Sequence, residues 1–158
     1  MAQPLLVLDT NVVLDWLVFE DGGAPELIRA IKENTVVIAT NDDIVNELKR
    51  VLGYPAFALT PQAQEKALAT YLARTTTHHA RKTLRELVPR CRDGDDQKFL
   101  DLAAYTGADA LFSKDNAVLR AKKAMKSRFN CAVLKPLESA RWLTDWREPN
   151  AQTPRPAS

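Results

Sequence analysis

The sequence predicts an α/β fold built on a mostly parallel sheet of about four or five strands. Short apolar runs recur at 5–8, 35–40, 110–113 and 131–134, each followed by a stretch of helical periodicity. The first run, "LLVL", ends abruptly on a carboxylate, Asp9, with Thr10 and Asn11 behind it. A strand that is apolar at every position is covered on both faces, the signature of a parallel sheet with helices above and below. Strands alternating with helices then give the α/β class.

In chain order, residues 5–8 make the first strand. Asn11 is placed to cap a helix carrying Val12, Val13, Trp16, Leu17 and Phe19, which "EDGGAP" interrupts before a helix over 26–32. "TVVIAT" (35–40) is a β-branched second strand, and Asn41 caps the helix "DDIVNELKRVL", which Gly53, Tyr54 and Pro55 stop. Thr60 followed by Pro61 opens a helix to about Ala73, with Ala63, Ala67, Leu68 and Tyr71 or Leu72 inward. Residues 74–90 carry no clear pattern. A helix from about Asp95 stops at Gly107, "ALFS" is a strand, a helix runs from Asn116 toward Met125, and "CAVL" is the last strand. The closing helix carries Leu137, Ala140, Trp142 or Leu143, and Trp146.

The chain has 158 residues, enough for one sizeable core, and reads as a single domain over 1–146 with a loose Pro- and Ala-rich tail at 147–158. With 46% hydrophobic and 27% charged residues it is neither disordered nor membranous, and no apolar run approaches the roughly 20 residues of a bilayer span. The start "MAQPLLVLD" lacks a secretory pattern, so a cytoplasmic location is expected. Cys91 and Cys131 have neither metal-ligand spacing nor the density of a disulfide scaffold. A net charge of +2 neither requires nor excludes nucleic acid.

Chemistry concentrates in the carboxylates. In a parallel sheet the segments that follow the strands share one edge, where ligands bind. Asp9 and Asp115 both fall there; each also suits a helix cap. Glu47 lies inside its helix, about 40° beyond the apolar arc of Ile44, Val45, Leu48, Val51 and Leu52, so it borders the core. A solvated flank residue would occupy the same place. Asp96 shares the arc of Phe99, Leu100 and Ala103 and points inward, where it needs a partner; the alternative is a capping box with Asp93. Asp93 and Asp95 are better explained by capping and solvation than as ligands, with a place in an outer shell open to either. Four carboxylates meeting at one sheet edge would repel unless a cation neutralised them, and oxygen-only ligands favour Mg²⁺ or Mn²⁺. Such a centre, open to water, suits hydrolysis of a phosphodiester.

The stretches "VLDTNVVLDWL", "DDIVNELKRVL" and "CRDGDDQKFLDLAAYTGADALFSKDNAVL" resemble a PIN-domain protein, closest to the VapC-related toxins of type II toxin–antitoxin pairs. The resemblance spans about residues 4–136. It implies a compact three-layer α/β/α sandwich, an endoribonuclease dependent on Mg²⁺ or Mn²⁺, a homodimer, and a cognate antitoxin that fills the active-site groove. Carried over residue by residue, Asp9, Glu47, Asp96 and Asp115 match the four acids. Asn11 is the polar companion of the first acid, and Ser113 the supporting hydroxyl. The sequence departs at Ala117, where relatives often carry a further acid. The resemblance thus implies a metal set of Asp9, Asp96, Asp115 and Glu47, the aspartates holding the ion directly or through water and Glu47 orienting or deprotonating the attacking water. Asn11 and Ser113 fix the carboxylates.

RNA must be held as well. Arg92 and Lys114 flank the third and fourth acids and are the candidate phosphate contacts; the cations at 120–128 fit a solvated helix face at least as well. Trp16, Phe19, Trp142 and Trp146 fit core or dimer contacts better than base stacking. A serine mechanism has little support, since Ser113 has no histidine in its own segment and His78 and His79 suit a surface loop. A haloacid-dehalogenase-type phosphatase would need an Asp where Asn11 stands. A catalytically silent PIN-like module that binds RNA or protein is the other reading.

Overall fold

Successive side chains of a strand reach opposite faces of its sheet, which is why "LLVL" is apolar throughout: Leu6 and Leu8 enter one core and Val7 the other. The structure, a computed structural model, describes residues 2–19, 23–79 and 87–152. The strands are β1 (Leu5–Leu8), β2 (Val37–Thr40), β3 (Thr75–Thr77), β4 (Ala110–Phe112) and β5 (Ala132–Leu134). They form one five-stranded sheet in the order β3-β2-β1-β4-β5, with every pairing parallel. Leu6 lies opposite Ile38 on one side and Ala110 on the other. The strand order reverses at β1, so the crevice beyond its carboxyl end is the switch point where such sheets bind ligands.

Two apolar layers cover the sheet. On one face lie α1 (Thr10–Leu14), α2 (Pro25–Lys32), α4 (Pro61–Ala73) and α8 (Ser139–Gln152), contributing Val12, Val13, Leu27, Ile31, Tyr71 and Leu143 to the core. On the other lie α5 (Gln97–Thr106), α6 (Asn116–Leu119) and α7 (Lys122–Phe129), contributing Phe99, Leu100, Ala103, Val118 and Met125. The result is the expected three-layer α/β/α sandwich. Each fully buried Leu, Ile, Val or Phe stabilises it by about 1.5–3 kcal/mol relative to exposure. Helix α3 (Asp42–Leu52) straddles the layers: Leu48 and Leu52 join the first core and Ile44 the second. That position carries its flank residue, Glu47, to the seam between them.

Most element ends follow the local chemistry. The side chains of Asn41 and Thr60 cap α3 and α4 by accepting from Ile44 N and Ala63 N. Gly107, at φ +71°, ends α5 in the left-handed region that glycine tolerates best. Other ends differ from expectation. Asp9, not Asn11, caps α1. That helix is short and widens into a π-helical turn over Asp15–Phe19, which buries Trp16 beside Tyr71 at 6.2 Å but leaves Phe19 half exposed. The helix expected from Asn116 toward Met125 is two helices, α6 and α7. The patternless stretch after Arg74 holds the edge strand β3, whose three threonines carry no apolar signal. Leu137 is exposed in a 3₁₀ turn, Pro136–Glu138, ahead of α8. Helix α8 continues past Trp146 to Gln152, and residues 153–158 of the expected tail lie outside the described residues. Cys91 and Cys131 are free thiols. Among the described residues no helix is long and apolar enough to cross a membrane.

Candidate metal centre

The backbone N–H of Asp9 still donates to Phe112 O (3.0 Å), so the β1–β4 ladder delivers the carboxylate to the sheet edge before α1 begins. There it is almost wholly buried, at 3% exposure. Its Oδ1 accepts from Asn11 N at 2.8 Å and its Oδ2 from Ser113 Oγ at 2.6 Å. Burial raises the Asp9 pKa; the bonds from Ser113 and Asn11 lower it, and the charges of Asp115 and Glu47 raise it again. Asn11 therefore serves Asp9 through its main chain, and its side chain is exposed.

Ser113 is fully buried and works in two directions. While donating to Asp9 it accepts the backbone N–H of Asp115 at 3.0 Å. Asp115 in turn caps α6 by accepting from Ala117 N at 2.8 Å. Ala117 thus supplies a main-chain donor to this carboxylate. One oxygen of Asp115 lies within 4.8 Å of one oxygen from each of Asp93 and Asp96.

The third acid arrives on a tight turn. A 3₁₀ turn over Gly94–Asp96 precedes α5, and Asp93 caps it by accepting from Asp95 N at 3.0 Å. The alternative reading of Asp96, a capping box with Asp93, is not formed, and the Asp96 side chain makes no cap bond to α5. It faces its fellow acids instead. Burial pushes the Asp96 pKa up to about 7, helped by a hydrogen bond shared with Asp115 and by the charges of Asp9, Asp115 and Asp93.

Glu47 is engaged differently. Its Oε1 receives Lys98 Nζ at 2.9 Å and its Oε2 the Thr10 hydroxyl, with Arg50 4.0 Å away. A cleft of about 380 Å³ opens beside it, lined by Asn46, Arg50, Gly94, Asp95 and Lys98 among others. Of the two candidate RNA contacts, Arg92 is exposed, whereas Lys114 Nζ is 2.6 Å from Oδ2 of the buried Asp15.

The fold therefore gathers Asp9, Asp96 and Asp115 along the ends of β1 and β4, with Glu47 close enough for its charge to act on Asp9. Among the described residues, the carboxylates whose oxygens lie within 4.8 Å of one another are Asp93, Asp96 and Asp115. Asp93 makes the cap expected of it, and its nearness to Asp96 and Asp115 fits the outer-shell place that the sequence leaves open to it. Lys98, Thr10 and Asp15 were missed, because their partners lie on other elements. An all-oxygen set with three close carboxylates, one of them reluctant to ionise, is chemically suited to a hard divalent cation. No curated protein and no solved structure gives a significant match to the chain. The sequence model of the PIN domain matches residues 5–117, most of the chain, and on that match, over this parallel sheet and its acidic edge, the protein belongs to the PIN-domain family.

Proposed function

We propose that the protein is a divalent-metal-dependent endoribonuclease, hydrolysing RNA phosphodiester bonds in the cytoplasm as the toxin of a toxin–antitoxin pair. A homodimeric state and a cognate antitoxin belong to the same reading. The observation that carries it is the Asp93, Asp96 and Asp115 oxygen group beside buried Asp9, with the Asp96 pKa raised to about 7. Carboxylates held this close without a cation repel one another, so the donor set fits Mg²⁺ or Mn²⁺.

Asp96 and Asp115 would hold the ion, with Asp9 and Asp93 completing the oxygen shell directly or through water. When bound, the ion supplies a Lewis acid that neutralises charge on the scissile phosphate and acidifies a coordinated water. The protein's own groups do the rest. Ser113 holds Asp9 and Asp115 at fixed separation by sharing one hydroxyl between them. Glu47 accepts a hydrogen from the attacking water and orients it, its carboxylate kept in place by Thr10 and Lys98. A single RNA strand is placed in the cleft next to Glu47, with Arg92 and Lys114, which lie outside its lining, as the candidate phosphate contacts.

The test is cleavage of a pool of single-stranded and structured RNA by wild type and Asp9→Asn, in Mg²⁺, Mn²⁺ or EDTA. Metal-dependent products absent from the variant are expected. Equal behaviour of both proteins in all conditions overturns the catalytic reading and leaves a module that binds RNA or protein.

A further inference from the structure

The two ends of the acidic edge are neutralised in different ways. Among the described residues, no lysine or arginine forms an ion pair with Asp93, Asp96 or Asp115. Glu47 has a partner already. Its side chain is 14% exposed, and the Lys98 ammonium, itself on a side chain only 19% exposed, sits 2.9 Å from Oε1. Its other oxygen takes the Thr10 hydroxyl.

Lys98 is also fixed from behind. Its ammonium donates to the main-chain oxygen of Asp95, in the turn that ends at Asp96. One side chain thus ties α3, through Glu47, to the turn that carries Asp93 and Asp96. A divalent ion on Glu47 would share the carboxylate with this ammonium at close range, where like charges repel. The Lys98 stem packs its ammonium 5.1 Å from the Phe99 ring, which further holds the charge in place.

We infer that Lys98 takes the place a second divalent cation would have at this centre, so that the aspartates hold a single ion and Glu47 is a neighbour of that ion instead of its ligand. The inference rests on the metal-dependent reading above. Lys98 is then a positioning residue: it acts through Glu47, and a carboxylate held by an ammonium stays available to orient water.

Direct Mn²⁺ titration by calorimetry, with electron paramagnetic resonance counting the bound ion, tests this on the full chain. Wild type is expected to bind one Mn²⁺ per chain, and Glu47→Gln also one, with affinity within about threefold, less than the loss expected of a ligand or its direct support. Lys98→Met releases Glu47 and is expected to admit a second Mn²⁺, whereas Lys98→Arg stays at one. Two ions in wild type, a loss of tenfold or more in affinity in Glu47→Gln, or a Lys98→Met protein that still binds one each overturn the inference while leaving a metal-dependent enzyme standing. Absence of Mn²⁺ binding by wild type overturns both. If Lys98→Met does not fold, judged by circular dichroism, the stoichiometries of wild type and Glu47→Gln decide.

Discussion

Ser113 Oγ stands 2.6 Å from Asp9 Oδ2, a side-chain bond between the carboxyl ends of two neighbouring strands. Ser113→Ala removes the donor that lowers the Asp9 pKa and leaves the Asp115 N–H without its acceptor. Mn²⁺ affinity should fall by about 10- to 100-fold, the usual cost of losing a group that orients a ligand. Stability should fall by about 1–3 kcal/mol from the buried groups left unpaired. Calorimetric titration and urea unfolding check the two effects separately; an unchanged affinity would mean that Asp9 needs no orienting partner.

Asp96 sets a pH dependence whose sign can be worked out. Its folded-state pKa, near 7, lies above the ordinary value of 3.8, so between these values the native state binds more protons than the unfolded chain. Metal-free stability attributable to Asp96 is therefore present at low pH and is lost as pH rises toward 7. Asp96→Asn should raise the metal-free Tm at pH 8 and change it little at pH 4. In wild type, Mg²⁺ must displace that proton, so Mg²⁺ binding should strengthen between pH 5 and 8 and level off above it. Thermal melts with and without EDTA across this range are the measurement.

Lys114 and Arg92 should separate under mutation. Lys114 neutralises Asp15, whose Oδ2 is buried and has no hydrogen bond beyond that ion pair. Lys114→Ala should cost about 1 kcal/mol of stability, kept small because the lysine is nearly half exposed. Arg92 is exposed and makes no such pair among the described residues, so Arg92→Ala should leave the Tm unchanged. It should lower the salt slope of RNA binding by about one. An unchanged slope in Arg92→Ala would remove that residue from the RNA path.

Tyr71→Phe provides a stability control away from the acids. The Tyr71 hydroxyl donates to Thr40 Oγ1 at 2.8 Å, and both residues are fully buried. Losing the bond strands the Thr40 hydroxyl and should cost about 1–2 kcal/mol. RNA cleavage per folded molecule should not change; a fall in activity at full folding would extend the catalytic machinery to β2.

How much of this was legible in the sequence depended on the range of the interaction. Features set within a few residues were readable: the apolar runs of β1 and β4, the caps Asn41 and Thr60, and the glycine stop at Gly107. The strand β3 was not, because an edge strand of threonines is only partly covered and leaves no apolar run. The positions of Asp9, Asp96 and Asp115 were readable because they lie next to element ends. The Glu47–Lys98 pair was not, since it spans 51 residues and exists only once α3 and α5 lie side by side. Asp93 makes the local cap that its spacing suggests, and only the folded turn shows that one of its oxygens also lies near those of Asp96 and Asp115.

β1 precedes the other strands of the sheet in the chain, yet it gains its second neighbour only when β4 has been made. Its neighbour β4 and the hydroxyl that steadies Asp9 come from far along the chain, Ser113 standing 104 residues after Asp9. A ribosome-bound chain that has emerged only as far as α4 contains Asp9 and Glu47 but none of Asp93, Asp96, Ser113 or Asp115. The strand order therefore sets a sequence of events: the acidic edge cannot assemble until translation has delivered the second half of the sheet.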